Sequence, residues 1–374
     1  MKISLLKSGN LLKTALLPLA VLAASTAPAQ DDWGPFTGSW KRYDNNPILP
    51  KGEEESHYIP TADRGDYEIL QGGMTPGPDS VIQHDGKLWM FIYHHEDAGT
   101  KLAVSEDGVE WEYVHDKPIL KATEPWEGDR VFVKATEVIN GKVYLYYTAN
   151  LGIEERMGVA RNTSSDLMTT DWKKYPDNPV FTKEDVSAGG KHVIPGSVVE
   201  DNGTYYLFYD NSYDYGHAEH PNEYTVSVAS AKDGIHFKPL ADNILVPASE
   251  SNRNQADWWE SGGVCQPAVR KVDGWWYMIY DGFARGRWER AFGLARARTP
   301  EGPWEKYSNQ AIFVAKGTKN YGAPKEWDVF LQHPCPVKVN GEWRLYFAGC
   351  SQYHYWGQVG MATKGDPQVD SRKQ

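Results

Sequence analysis

Cysteine is scarce, with Cys265, Cys335 and Cys350 the only copies among 374 residues. Such a small, odd number excludes a disulfide-stapled framework and leaves room for one bridge at most. Cys265 and Cys335 begin related strands of neighbouring repeats, so the spacing suits either a bridge between them or three small buried residues. Long apolar runs are also missing. The run Leu16 to Ala24 is too short to span a bilayer, and no comparable run follows it. It comes after Lys2, Lys7 and Lys13 and before Ala27-Pro28-Ala29, the layout of a secretory signal peptide over residues 1–29. Residues 30–374 are therefore expected to be a soluble domain in the periplasm or outside the cell. No cysteine stands at the cleavage point to carry a lipid. Net positive charge is absent as well. The balance is -11 and includes the leader lysines, which disfavours nucleic acid and anionic membrane as partners. His94-His95 and His217 with His220 lack a third partner at zinc-ligand spacing, so no metal site is expected from them.

Aromatic residues are plentiful by contrast. The chain carries 15 Trp and 22 Tyr at a mean hydropathy of -0.59. Polar overall yet rich in amphipathic rings, it suits a β protein with aromatic-lined grooves on which sugars could stack. A repeat gives that composition an architecture. A Gly followed by alternating aromatic and aliphatic residues recurs at Gly86 to Tyr93, Gly141 to Tyr147, Gly203 to Tyr209, Gly274 to Tyr280 and Gly341 to Phe347. Each copy follows a short apolar strand ending in Asp-Gly or Asn-Gly, the chemistry of a tight hairpin. A third strand of small residues comes next, as in Gly158-Val159-Ala160-Arg161 and Val359-Gly360-Met361-Ala362.

A fourth strand with an aromatic residue near its start is expected at Trp111 to Leu120, Trp172 to Phe181, Phe237 to Val246 and Trp304 to Phe313. The remaining copy, Trp40 to Leu49 with Asn46-Pro47-Ile48-Leu49, precedes the first repeat, and the last repeat stops after its third strand. The N-terminus must then supply the outer strand of the last repeat. A linear array gives no reason for that displacement, so the chain is expected to be an all-β, five-bladed β-propeller in a single domain. Long insertions at 51–71, 211–224, 248–258 and 316–326 are expected as loops, which commonly carry function on such scaffolds.

In a propeller the first strand of each blade lines the channel, and the loop leaving the second strand returns to the same mouth. The inner-strand candidates are Asp79, Glu137, His192, Glu260, Gln266 and His333; the second-strand candidates are His94, Asp210, Asp281 and Arg285. Convergent carboxylates are what glycoside hydrolysis needs, one acid for the leaving oxygen and one base for water. Each acidic residue also has a plain structural alternative in bonding nearby backbone. For Glu260 that alternative is specific: Trp126-Glu127, Trp259-Glu260 and Trp327-Asp328 recur at similar distances before their blade glycines, as a latch between blades would. His333 suits a sugar contact, a water-bound cation or a proton donor, and equally a packed histidine.

These repeats, the Asn-Pro-Ile-Leu strand ends and Lys134-Ala135-Thr136-Glu137-Val138 resemble the five-bladed propeller glycosidases, chiefly glycoside hydrolase family 43, with families 32 and 117 as relatives. The resemblance covers nearly all of residues 30–374. It implies an inverting, exo-acting hydrolase that releases a terminal sugar from a plant or algal oligosaccharide, with Asp79 in Gly77-Pro78-Asp79-Ser80 as base and His333 as the fifth-blade histidine. No cofactor is expected to be required, and a structural calcium ion in the channel near His333 stays an open option. Two family positions differ here: Ile194-Pro195-Gly196 lacks the third-blade carboxylate, and Cys265 stands where the acid belongs. Glu260 or Glu137 is then the expected proton donor, with Asp79 the third catalytic candidate. His94, His192, Asp210, Gln266, Asp281, Arg285 and His333 remain as sugar-binding candidates. A non-catalytic glycan-binding propeller is the alternative, and a phosphorylase using Arg285, Arg287 and Arg290 is a third.

Overall fold

The computed structural model describes residues 33–49, 77–94, 97–149, 154–186, 192–212, 224–247, 259–283, 290–315, 330–350 and 357–364. The leader, most of the long insertions, His95, Asn150, His217, His220, Arg285, Arg287 and the Trp327-Asp328 pair lie outside these residues. Residues 34–374 form one compact unit; of the unit before it, residues 1–33, only Trp33 is described.

Antiparallel meanders repeat along the described residues, with three 3-10 turns and no α-helix among them. The inner strands are Pro78–His84, Val131–Ile139, His192–Asp201, Gly263–Val272 and Phe330–Val339. Each turns back into a second strand: Lys87–His94, Lys142–Ala149, Thr204–Ser212, Trp275–Phe283 and Glu342–Cys350. The turns are built by Asp85-Gly86, Asn140-Gly141, Asn202-Gly203, Asp273-Gly274 and Asn340-Gly341, every one of these residues at positive φ. That conformation suits the right-handed twist of a tight hairpin and explains the Asp-Gly and Asn-Gly pairs. The third strands follow, and the fold is an all-β, five-bladed propeller.

In four blades the fourth strand is shorter than the sequence pattern implies: the expected stretch touches its third strand at two points with a loop between, as at Glu112–Tyr113 and Leu120–Lys121 in the first blade. The third blade keeps a continuous fourth strand, Lys238–Leu245. In the second and fifth blades an Asn-Pro pair falls within the loop, where proline cannot donate to a ladder. Asn178 restores pairing with its side chain: Oδ1 accepts from Val159 N at 2.9 Å and Nδ2 donates to Val159 O at 2.9 Å. Asn46 does the same with Met361, at 2.9 and 2.8 Å. Met361 belongs to the last blade, and Lys41 and Arg42 pair there with Thr363 and Ala362. The N-terminal segment therefore supplies the outer strand of the fifth blade.

Between blades the core is apolar and aromatic. Leu88, Met90, Ile92 and Trp111 of the first blade pack with Val337, Tyr346 and Met361 of the fifth. Similar clusters lie between the first and second, second and third, and third and fourth blades. Cys265 and Cys335 are buried and free, so of the two alternatives the bridge between them does not form. Cys335 Sγ instead accepts from Val81 N of the first blade at 3.2 Å. No helix among the described residues is long and apolar enough to cross a membrane.

Candidate active site

Every inner strand slips once against its second strand. The ladder breaks between Pro78 and Ser80, Val133 and Ala135, Pro195 and Ser197, Cys265 and Ala268, and Gln332 and Cys335. The residues left over are Asp79, Lys134, Gly196, Gln266 with Pro267, and His333 with Pro334. A bulge releases a side chain from the alternation of the strand and re-aims it. Here four of the released side chains converge. Lys134 Nζ donates to Asp79 Oδ1 at 2.9 Å and lies 3.4 Å from His333 Nδ1. His333 Nδ1 is 3.1 Å from the same Asp79 oxygen, and the second, Oδ2, accepts from Tyr93 N at 3.0 Å. Gln266 Oε1 accepts from His333 N at 2.7 Å. The depression over this cluster is completed by Tyr93, Phe132, Gln332 and Ala348.

The third-blade bulge contributes no side chain because it has no space for one. A Cβ on Gly196 would overlap the ring of Pro267 in the next blade. A side chain at this bulge position cannot be accommodated without moving that proline.

A second ring surrounds the first. Two residues beyond the first pair after each slip, the second strands carry Tyr93, Thr148, Asp210, Asp281 and Ala348. Tyr93 and Ala348 wall the depression, and Asp210 and Asp281 occupy the matching positions in blades three and four. Asp210 Oδ1 accepts from Gln266 N at 2.8 Å. Asp281 Oδ2 accepts from Arg290 Nη1 at 3.0 Å, and the same nitrogen reaches Cys265 Sγ at 3.5 Å. The other Asp281 oxygen is buried without a partner among the described residues.

Burial dominates the electrostatics. It lifts the Asp79 carboxyl above the usual carboxylate range, opposed by Lys134 and by the Tyr93 N–H. Burial raises Asp210 well above that range, with the Asp281 charge adding to it against the Gln266 N–H. Asp281 is pushed up to about 7 by burial, against the pull of Arg290. Burial, then the charges of Lys134 and Arg290, hold His333 well below its ordinary value, so the ring is neutral.

The remaining sequence candidates fall elsewhere. Glu137 lies three residues beyond the bulge residue Lys134, its carboxyl near Arg270 and Glu200 rather than Asp79. The small residue after each single bulge, Ser80, Ala135 and Ser197, is the sequence mark that aligns Lys134 with Asp79. Glu260 is a latch: its oxygens accept from Tyr280 OH at 3.0 Å and Lys306 Nζ at 2.6 Å, with Trp259 stacked on Tyr280. Glu127 repeats this set with Tyr147 at 2.8 Å, Lys174 at 2.6 Å and Trp126 stacked on Tyr147. His192 is buried against Glu155 at 2.9 Å, and His94 pairs with Asp97 at 3.1 Å. Calcium takes six to eight oxygen ligands. Beside His333 stand one carboxylate and the Lys134 ammonium, a donor set that does not fit the ion.

The sequence matches the model of glycosyl hydrolases family 43 over residues 74–326. The chain belongs to that family. It is 26% identical over 186 residues to the extracellular endo-alpha-(1->5)-L-arabinanase 2 of Bacillus subtilis (strain 168), a match covering 46% of this chain and 34% of the relative. The chain thus spans about a third of that relative's length. Among solved structures, a thermostable family-43 glycoside hydrolase superposes with a TM-score of 0.58 at 18% identity, covering 82% of this chain and 100% of that one. An exo-1,5-alpha-L-arabinanase from a bovine ruminal metagenomic library gives 0.55 at 14% identity, with 78% and 92% covered. The beta-1,2-mannobiose phosphorylase of Listeria innocua gives 0.59 at 14% identity, with 87% and 96% covered. At these identities the structural likenesses establish the propeller alone. Within family 43, this chain combines an Asp79–Lys134–His333 cluster with Cys265 and Ile194-Pro195-Gly196 where carboxylates were expected.

Proposed function

We propose that the chain is an exported hydrolase that releases a terminal sugar, with inversion, from oligosaccharides of plant or algal polysaccharide. The observation that carries this reading is the convergence of Asp79, Lys134, Gln266 and His333 through bulges at one level of a family 43 propeller. Asp79 is the base, its carboxylate anchored by Lys134 and the Tyr93 N–H. Asp210 becomes the proton donor in place of Glu260 and Glu137, because burial favours its protonated form. As the water oxygen bonds to the anomeric carbon and the glycosidic bond breaks, Asp79 takes the water proton and Asp210 gives its own to the leaving oxygen. The small depression beside Asp79 supports action at a chain end. The names of the arabinanase relatives support α-1,5-linked arabino-oligosaccharides as the first substrates to try. Anhydro, deoxy or sulfated algal sugars come next.

A non-catalytic glycan-binding role is the second reading, favoured by Cys265 and Gly196 and by the lysine already paired with Asp79. The test is a panel of plant and algal oligosaccharides incubated with purified protein, with and without phosphate, and read by chromatography. The expected outcome is sugar release independent of phosphate. Asp79→Asn and Asp210→Asn should each lower turnover by roughly 10²–10⁴-fold while binding persists by calorimetry. Unchanged turnover in Asp79→Asn would remove the base assignment; binding without product from any sugar would favour the second reading.

A further inference from the structure

Gln266, a sugar-binding candidate in the sequence, also makes an unusually complete set of contacts within the protein. It sits at a bulge with φ 52°, and its partner His333 sits at the equivalent bulge with φ 55°. Left-handed backbone is uncommon for such residues and marks positions that the surroundings over-determine. The Gln266 backbone N–H donates to Asp210 Oδ1 at 2.8 Å. Its side-chain oxygen accepts from the His333 backbone N–H at 2.7 Å. Its side-chain nitrogen then faces His333 Nε2 at 3.5 Å.

That arrangement decides which ring nitrogen of His333 carries the proton. An amide's oxygen and nitrogen are ordinarily assigned from their partners. Here the backbone N–H of His333 can only donate, so the oxygen must face it and the NH₂ group must face the ring. The NH₂ group can only donate, which makes Nε2 an acceptor. A neutral imidazole with a bare Nε2 carries its hydrogen on Nδ1, and Nδ1 lies 3.1 Å from Asp79 Oδ1. Lys134 Nζ lies 3.4 Å from Nδ1 and 2.9 Å from the same oxygen, and its donation goes to the shorter contact.

We infer that Gln266 is a positioning residue, fixing His333 as the Nδ1–H tautomer so that a neutral donor is aimed at Asp79. The catalytic consequence rests on Asp79 being the working base; the tautomer itself does not. Gln266 thereby joins blades three, four and five directly, and His333 Nδ1 carries the line to within 3.1 Å of Asp79 in the first.

The test reads the His333 tautomer directly, by two-dimensional ¹H–¹⁵N correlation of the ring nitrogens in uniformly labelled protein. The His333 signals are assigned by their loss in His333→Gln. In the parent protein the expected pattern is Nδ1–H with a bare Nε2. Gln266→Glu is isosteric but has only acceptors when ionised, so His333 should move to a form protonated at Nε2. Gln266→Met removes both side-chain partners and should leave a mixture of tautomers. In both variants kcat should fall by roughly 10–100-fold, as for other groups that orient a functional histidine, with KM little changed. A parent pattern of Nε2–H, or the parental pattern persisting in both variants, would overturn the inference. If Gln266→Met does not fold, Gln266→Glu decides. If no substrate is turned over, the proposed function fails while the tautomer shift still tests this assignment separately.

Discussion

Glu137 is the residue whose position most changed between sequence and structure, and its chemistry changes with it. It is half-buried on the inner strand of the second blade, and burial pushes its pKa up to about 7 from the ordinary 4.5. Between those values the folded chain keeps a proton that the unfolded chain has released, so stability falls as pH rises through about 4.5 to 7. Glu137→Gln removes that penalty. Urea denaturation should find the variant more stable than the parent by roughly 1–3 kcal/mol at pH 8 and equal to it at pH 4. A variant less stable than the parent at pH 8 would mean that the carboxylate is paired and needed. Asp79 and His333 were legible in the sequence because they head recognisable strands. Lys134 was not, because a one-residue bulge reverses the expected alternation of side chains, and nothing in Lys134-Ala135-Thr136-Glu137 announces it except the small residue that follows. The emptiness of the third-blade position was legible as Gly196; its cause, the ring of Pro267, needed coordinates.

At the level of elements, the recurrent Trp-Glu pairs were ambiguous between catalysis and packing, and the hydrogen bonds favour packing. Glu127 and Glu260 each join a second-strand tyrosine to a fourth-strand lysine. Both carboxylates are almost fully buried, and each lysine retains some exposure. Losing one partner of such a pair leaves an uncompensated charge. Glu127→Gln and Glu260→Gln should therefore each cost roughly 1–3 kcal/mol by chemical denaturation, and neither should lower kcat by more than a few-fold. Loss of turnover in Glu260→Gln without loss of stability would return Glu260 to the catalytic set. The hairpin turns and strand order were readable because Asp-Gly and Asn-Gly allow few geometries. The outer strands of the second and fifth blades were read as too long, since the sequence does not reveal that Asn178 and Asn46 replace backbone pairing with their side-chain amides.

For the molecule as a whole, the displaced fourth strand was the most informative feature of the sequence. Pairing of Lys41 and Arg42 with the last third strand joins the two ends of residues 34–374 in one blade. The inner strands of the first and fifth blades are linked by Cys335 and Val81, and those of the first and second by Ser80 and Thr136 at 2.7 Å. This ring brings residues as distant in sequence as Asp79 and His333 to within 3.1 Å of each other. The site was therefore partly predictable from repeat alignment, whereas its internal hydrogen bonds were not. The central claim is that this ring cleaves glycosidic bonds with Asp79 as base. Its most direct test is product release from α-1,5-arabino-oligosaccharides and the wider plant and algal panel, compared between the parent protein and Asp79→Asn under conditions where both bind. The account predicts sugar release by the parent and its near-complete loss in Asp79→Asn; equal release by the two proteins would contradict it.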